Sequence, residues 1–488
     1  MTKKIGIIGG GISGLVAAFL LKNRGLEVVL FEKSAAVGGN IQTKSEDGFL
    51  YELGPNSLLK SPRLVDLIGL LGLDGEVLAA NATAKKRYVL RGGRLKALPM
   101  SVLKMAAGDF LSFGAKMRLL KEPFIRSKAA DDESVAEFFT RRLGGEIVTR
   151  AADPFIAGIY AGKPENLSIK SAFPSLYELE KNYGSLFFGA LRSKSEKTPK
   201  DFPRTFSFLN GIQTLTDALA AKLGESIKTN TEVLKIEKLS DGKFSVWERK
   251  HPACNERESA KNNDAKNHTA EEFSPPADSG DAGRMPALRF DAVIIATPAE
   301  AAANLTENLD ADLSRLLREI YYPPVAMVFL GVKKDDLEKT LDGFGFLIPG
   351  SEKRKILGTV WNSAVFTGRA PDGFHLLTTF VGGTRDAEIF EKSDEDLFQI
   401  VESELGEILG LRADAPVFRR ITRWRKAIPQ YNVGYDKIED AIENFEREMR
   451  GIFFCSNFYK GISVGDCVKN AFALAKRISH EQTQKGTK

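Results

Sequence analysis

Lys4 to Ile8 is a short apolar run with β-branched residues, and Gly9-Gly10-Gly11-Ile12-Ser13-Gly14 follows it directly. The run reads as a strand, Leu15 to Asn23 as a helix ended by Gly25, and Glu27 to Phe31 as a second strand closed by Glu32. This is G-x-G-x-x-G inside a βαβ unit, with an acid about 20 residues on. Each glycine has a physical task. Gly9 permits the tight turn, Gly11 lets the backbone approach a pyrophosphate, and Gly14 lets helix and strand pack closely. The phosphates then meet free N–H groups, among them those of Gly10, Ile12 and Ser13, at the positive end of a helix. Glu32 is placed to accept hydrogen bonds from ribose hydroxyls. The unit defines a dinucleotide site and leaves NAD and FAD both open.

Val37-Gly38-Gly39-Asn40 follows the acid, and Tyr51-Glu52-Leu53-Gly54-Pro55-Asn56-Ser57 comes next. The second glycine pair resembles that of the amine-oxidase-type flavoproteins, which implies FAD, with Lys33 and the Gly38–Asn40 backbone near the cofactor. Those proteins usually carry Arg where this chain has Asn40. In the same superfamily the 51–57 stretch runs beside the flavin ring.

The rest of the chain sets the surroundings. Its 488 residues bury more than one core, so two or three domains are expected. A net charge of +5 is too weak to argue for nucleic acid, and suits an anionic substrate or membrane surface. Cys254, Cys455 and Cys467 show no CxxC spacing, so no disulfide framework or metal site is expected and a reducing compartment is the default. The N-terminus does not read as a signal peptide, and no apolar run reaches the roughly 20 residues needed to span a bilayer. A cytoplasmic location is therefore expected, with any membrane contact peripheral.

Lys85 to Leu98 reads as a hairpin turning at Arg91-Gly92-Gly93-Arg94. From Ser101 to Arg192 helical periodicity dominates. There Phe110, Phe113, Met117, Leu119, Leu120, Phe124 and Ile125 lie among Lys104, Lys116, Arg118, Lys121 and Arg126. Two readings stand: an ordinary amphipathic helix pair, or a basic, aromatic surface lying on a membrane. His251 to Leu288 holds almost no core-forming residues and reads as a solvated insertion interrupting a hairpin that resumes at Asp291. Runs at Val325–Val332, Gly345–Ile348 and Leu376–Val381 read as strands of a second α/β domain. Gly451 to Asn457 reads as a strand, and Gly461 to Cys467 as a turn entering a helix whose N–H groups suit the flavin ring.

The expected architecture is therefore α/β. A Rossmann-type FAD-binding domain is built from residues 1–84, 205–300 and 420–488, interrupted by the 251–288 insertion. A helical domain, the candidate for membrane contact, spans 85–204. A second α/β, substrate-binding domain spans 301–419.

More specific strings lie throughout. They are GPNS at 54–57, KRYV at 86–89, DPFIAGIYAG at 153–162, SAFPSLYELEKNYGS at 171–185 and FSFLNGIQTLTDAL at 206–219, then TTFVGGTRD at 378–386, RWRKAIPQY at 423–431 and GISVGDCV at 461–468. Together they resemble the oxygen-dependent, FAD-containing protoporphyrinogen oxidase family over nearly the whole chain. The resemblance implies further FAD contacts from Gly54–Ser57, Val233, Trp424 and Ile462, Ser463 and Val464. It implies a substrate cavity at Asn56, Arg87, Gly158, Leu347, Val360 and Phe380. Arg87 is the expected cation for a propionate and Asn56 a group beside the reactive carbon; Leu347 and Phe380 sandwich the macrocycle.

The implied reaction removes six electrons from a porphyrinogen at saturated carbons, in haem biosynthesis, with dioxygen as acceptor. Such chemistry needs orientation and a flavin, with little acid–base machinery, and four histidines in the chain agree with that. A coproporphyrinogen oxidase is the nearest alternative. An amine oxidase or carotene desaturase on the same fold comes after it, and a flavin-binding module without oxidase activity is the alternative of another class. A homodimer is left open.

Overall fold

The computed structural model describes residues 3–99, 108–125, 132–192, 199, 201–250 and 288–485. Its first unit is a five-stranded parallel sheet. The central strand β1 (Lys4–Ile8) leads into α1 (Ile12–Lys22) and then β2 (Glu27–Phe31). β3 (Ile227–Lys228) pairs with β2, β4 (Ala292–Ile295) pairs with β1 on its other side, and β5 (Ile452–Phe454) pairs with β4. The long helix α2 (Val464–Lys485) returns across this sheet.

Helix α1 is apolar nearly all round, and that composition demands burial on every side. Leu15, Val16, Ala17, Ala18 and Leu21 are fully buried in a core that includes Val468, Ala471 and Ala475 of α2. A second core covers the other sheet face, with Ala302, Leu313, Ile442 and Phe445 from helices outside it. Each fully buried Leu or Phe contributes roughly 1.5–3 kcal/mol, so the two layers pin β1 between them.

The second unit is a seven-stranded sheet in the order Phe418–Trp424, Val325–Lys333, Phe374–Gly382, Ile356–Val360, Gly345–Leu347, Tyr88–Arg91, Arg94–Ala97. The last two strands form the expected hairpin, turning at Gly92 (φ 58°) and Gly93 (φ 70°). Both central residues need φ > 0 in this turn type, which glycine supplies without strain. The sheet crosses two boundaries drawn from sequence. The hairpin was placed with the helices of 85–204, yet it pairs in parallel with Gly345–Leu347 through Phe346↔Tyr88. Strand Phe418–Trp424 was placed largely with the FAD-binding segments, yet it pairs with Val325–Lys333. Long-range pairing decides membership here, and local periodicity carries no record of it.

Between Phe113 and Arg192 the described residues are mainly helical, as the periodicity implies. Strand Phe244–Lys250 pairs antiparallel with Leu288–Phe290, so the hairpin resumes before Asp291, and Ala292–Ile295, expected as its returning strand, joins the parallel sheet instead. Residues 251–287 lie outside the described residues, as do Lys104 and Arg126. Among the described residues no helix is long and apolar enough to cross a membrane.

Candidate functional site

The glycine turn has the form its sequence implies. Gly9 sits at φ 108°, and a Cβ there would stand 2.7 Å from the carbonyl oxygen of Ala296 in the neighbouring strand connection. A Cβ on Gly14 would stand 2.0 Å from the Gly9 carbonyl oxygen. A Cβ on Gly11, by contrast, meets no protein atom within 4 Å. Gly11 is also the N-cap of α1, and no side chain caps that helix. The turn is therefore closed where protein packs and open where a phosphate approaches, with first-turn N–H groups left for an anion.

Glu32 is half-buried at the end of β2. Its Oε2 accepts from Gly10 N at 2.7 Å and its Oε1 from Ser34 N at 2.8 Å. Backbone donors orient the carboxylate and leave lone pairs on both oxygens for hydroxyl groups. Lys33 beside it is exposed. Thr231 N donates to Glu32 O at 2.9 Å, which brings the strand carrying Val233 to this end of the site.

Three glycine segments far apart in sequence then stack as backbone. Gly38 N donates to Gly10 O at 2.8 Å, and a Cβ on Gly39 would stand 3.3 Å from Gly11 Cα. A Cβ on Gly54 would stand 1.9 Å from Asn40 O. The turn at 9–14, the pair at 38–39 and the start of Gly54-Pro55-Asn56-Ser57 thus form one continuous surface. Trp424 closes it from the second sheet, donating Nε1–H to Leu53 O at 2.7 Å.

The C-terminal turn differs from expectation. Ser463 Oγ accepts from Asp466 N at 3.1 Å, and Asp466 Oδ2 accepts from Ser463 N at 3.3 Å and from Ser463 Oγ at 2.6 Å. This reciprocal cap takes up the Ser463 N–H, one of the donors expected at the cofactor. Among the described residues the N–H groups of Val464 and Gly465 remain, and Ile462 packs between two cores. The signal, S-x-x-D before an apolar run, was present in the sequence. Behind this turn Cys467 is buried and hydrogen-bonded to Ser13 of α1, and burial pushes its thiol up to about 11.

The residues expected around substrate share one side of the second sheet. A Cβ on Gly158 would stand 2.5 Å from Leu347 Cδ2. Leu347 lies opposite Gly358, Gly358 opposite Phe380, and Val360 opposite Thr378. Phe380 packs with Trp424 and Leu53 on the apolar face of this sheet. Val360 packs with Phe344 and Val365, and the Arg87 guanidinium lies 4.4 Å over the Phe344 ring. Arg87 is half-buried with no carboxylate against it among the described residues. Burial, and then the charge of Arg204, lower its pKa from the ordinary arginine value. It stays cationic, because a guanidinium does not lose its proton in a protein. The half-buried faces of Leu347, Val360 and Phe380 thus form an apolar wall with one unmatched cation at its edge.

Asn56 faces this wall. Asn362 Nδ2 donates to Asn56 Oδ1 at 2.8 Å, and Thr378 Oγ1 donates to Asn362 Oδ1 at 2.7 Å. Sequence reasoning missed both partners: a lone Asn after Trp361 carries no motif, and the TTFVGGTRD string that begins at Thr378 does not tell what Thr378 bonds. Two of the four histidines, His375 and His480, lie outside the insertion. One of them, His375, has its Nδ1 3.0 Å from Ser363 Oγ, and burial pushes it down to about 4, so it is neutral at physiological pH.

A backbone cradle, an acid oriented beside it and, among the described residues, an unmatched cation beside an apolar wall fit a dinucleotide-binding oxidoreductase. A family profile described as flavin containing amine oxidoreductase matches residues 12–479. The chain is 34% identical to the mitochondrial protoporphyrinogen oxidase of Nicotiana tabacum, with 98% of this chain and 94% of that one aligned. It is 30% identical to the coproporphyrinogen III oxidase of Bacillus subtilis (strain 168), with 96% of each aligned. A solved structure from Exiguobacterium sp. 255-15 shares the fold, with TM-score 0.76 and 24% identity over 99% of both chains. The chain belongs to the flavin-containing amine oxidoreductase family, and with its dinucleotide cradle the cofactor is FAD. Within that family it groups with relatives named protoporphyrinogen oxidase and coproporphyrinogen III oxidase.

Proposed function

We propose that this enzyme oxidises protoporphyrinogen IX to protoporphyrin IX in haem biosynthesis, with dioxygen as acceptor. Six electrons and six hydrogens leave the substrate in three pairs, and three molecules of dioxygen become three of hydrogen peroxide. Bound FAD supplies the two-electron acceptor for each pair. The observation that carries the reading is Arg87, a half-buried cation with no anionic partner among the described residues, at the edge of the Leu347–Val360–Phe380 wall. A flat apolar macrocycle fits the wall, and a propionate fits the guanidinium. Asn56 orients the carbon that reacts, and the apolar side chains exclude water. The full-length relatives named above support the substrate class.

The second reading is coproporphyrinogen III, which carries two more propionates. It is favoured by Arg204, a second cation whose charge acts on Arg87. Aerobic assay of both porphyrinogens by porphyrin fluorescence separates the two. The expected result is a higher kcat/KM for protoporphyrinogen, with one peroxide released per two electrons. Preference for coproporphyrinogen establishes the second reading, and no gain over autoxidation with either sinks both. Arg87→Ala is expected to raise KM by about ten- to a hundredfold, the loss of a charged hydrogen bond, with flavin content unchanged. Loss of FAD from that variant would mean that Arg87 is structural.

We propose in addition that the helical segment rests on the cytoplasmic face of a membrane, where a poorly soluble substrate collects. Phe110 of the cluster is buried core, but Phe113 is 79% exposed and Phe124 80% exposed. Leu120, Phe187 and Leu191 are exposed on helices that pack beside them. Surface of this kind suits partial insertion among lipid headgroups. Co-sedimentation with phospholipid vesicles is expected, and Phe113→Ser with Phe124→Ser abolishes it. Wild-type protein left in the supernatant would refute the contact.

A further inference from the structure

The Asn56 amide is held in one of its two flip states. Its Nδ2 donates to the Gly54 carbonyl at 3.2 Å, and a backbone carbonyl can only accept. Turning the amide over would set two oxygens against each other. With Asn56 Nδ2 fixed toward Gly54, its Oδ1 must accept, and Asn362 Nδ2 donates to it at 2.8 Å. That in turn leaves Asn362 Oδ1 to accept from Thr378 Oγ1 at 2.7 Å. Asn362 is 4% exposed and Thr378 fully buried, so water does not compete along this chain.

The two ends of the chain belong to different units. Gly54 and Asn56 lie on the backbone surface continuous with the cofactor cradle. Asn362 opens the helical turn Asn362–Val365 directly after strand Ile356–Val360, and Thr378 lies opposite Val360 in the sheet. Thr378 also shares its face of the strand with Phe380, because strand side chains alternate. The relay therefore fastens the loop beside the cofactor to the apolar wall, with polarity set from Gly54 outward. It leaves the second Asn56 N–H for a group outside the relay.

We propose that Asn362 is a positioning residue that holds the Asn56 amide, its polarity set by the Gly54 carbonyl, so that its free N–H points into the cleft between cofactor and substrate, with Thr378 anchoring Asn362. The proposal rests on the reading that Asn56 stands beside the reacting carbon.

Four variants test it: Asn362→Leu, Asn362→Asp, Thr378→Val and Thr378→Ser. Flavin content and thermal midpoint are measured with kcat, KM and the absorption bands of the bound flavin. Asn362→Leu and Asn362→Asp are expected to keep FAD, to lower kcat by about tenfold through a misplaced amide, and to leave KM within about twofold. Asp at this position cannot donate to Asn56 Oδ1, so it forces the flip that Leu merely permits. Thr378→Val gives a smaller loss of kcat, and Thr378→Ser restores the wild-type value. The flavin bands shift in both Asn362 variants and stay in place in Thr378→Ser. Unchanged kcat and unchanged bands in the Asn362 variants overturn the proposal, as does a loss of kcat that only tracks loss of flavin. If Asn362→Leu fails to fold, the Val and Ser pair at Thr378 decides. If wild-type protein oxidises neither porphyrinogen, the substrate reading fails while the flavin bands, which need no substrate, still test the positioning.

Discussion

Gly11→Val is expected to fold normally and to purify without flavin, whereas Gly14→Val loses both flavin and stability. The two glycines belong to one motif and fail for different reasons. Gly11 has φ −72° and ψ 176°, extended backbone that any residue adopts, and its side-chain direction is clear of protein for 4 Å. Valine there strains nothing in the apoprotein and fills the space through which a pyrophosphate approaches the N-terminus of α1. At Gly14 the first added atom falls 2.0 Å from the Gly9 carbonyl and 3.2 Å from Ala296 Cβ. Helix and strand connection must move apart, and overpacking of this kind typically costs about 1–3 kcal/mol or more. Visible absorbance of the purified proteins reports flavin, and urea unfolding of both apoproteins against wild-type apoprotein reports stability. Retention of FAD by Gly11→Val would show that the cofactor phosphates approach elsewhere.

Arg142→Met is expected to destabilise the helical segment by about 3–5 kcal/mol, the cost of stranding a buried charge. Arg142 is fully buried and pairs with Glu122, its Nε standing 3.1 Å from Oε1. It also donates to Ile125 O at 2.9 Å and Gly184 O at 2.8 Å. Glu122 accepts from Ser185 Oγ at 2.7 Å and from Leu186 N at 2.8 Å, capping the helix Leu186–Arg192. Making the pair apolar by Glu122→Leu with Arg142→Met will not restore stability, because those donors then lose their acceptor.

The pH dependence has a definite sign. Burial alone pushes the Glu122 carboxyl up, but the hydrogen bonds from Ser185, Leu186 N, Arg142 and Phe187 N outweigh it and hold it below the usual carboxylate value. Its stabilisation is thus complete above the unfolded-state pKa and is lost as pH falls through the depressed folded value. Without Arg142 the burial effect gains weight, so protonating Glu122 relieves the variant. The stability gap between wild type and Arg142→Met narrows as pH falls from neutrality toward 4. A gap that widens would contradict the assignment.

What the sequence reveals is what the chain decides locally. The strand, glycine turn, helix and acid between Lys4 and Glu32 are contiguous, so their spacing alone defines the cradle. The hairpin at Gly92-Gly93 is equally local. Legibility ends where partners are distant. Nothing near Tyr88 announces that it will lie beside Phe346, and nothing near Asn56 announces Asn362 or Thr378. Those pairings are set by which apolar faces must meet, a property of the whole chain. The Ser463–Asp466 cap was local and readable, but a glycine turn before a helix invites a ligand reading first. Arg87 stands between these cases. Family strings single it out, while only the packed sheet leaves it half-buried and without an anion.

The order of strands in the parallel sheet also governs when the protein can come into being. Strand β1 leaves the ribosome well before its partners, because β4 and β5 arrive only with residues 292–295 and 452–454. At about 5–20 residues per second, the first strand waits roughly 20–90 s for the last. During translation Ile5, Ile7 and Leu15 therefore have no finished core to enter. Flavin loading must then wait until β5 has emerged and paired with β4.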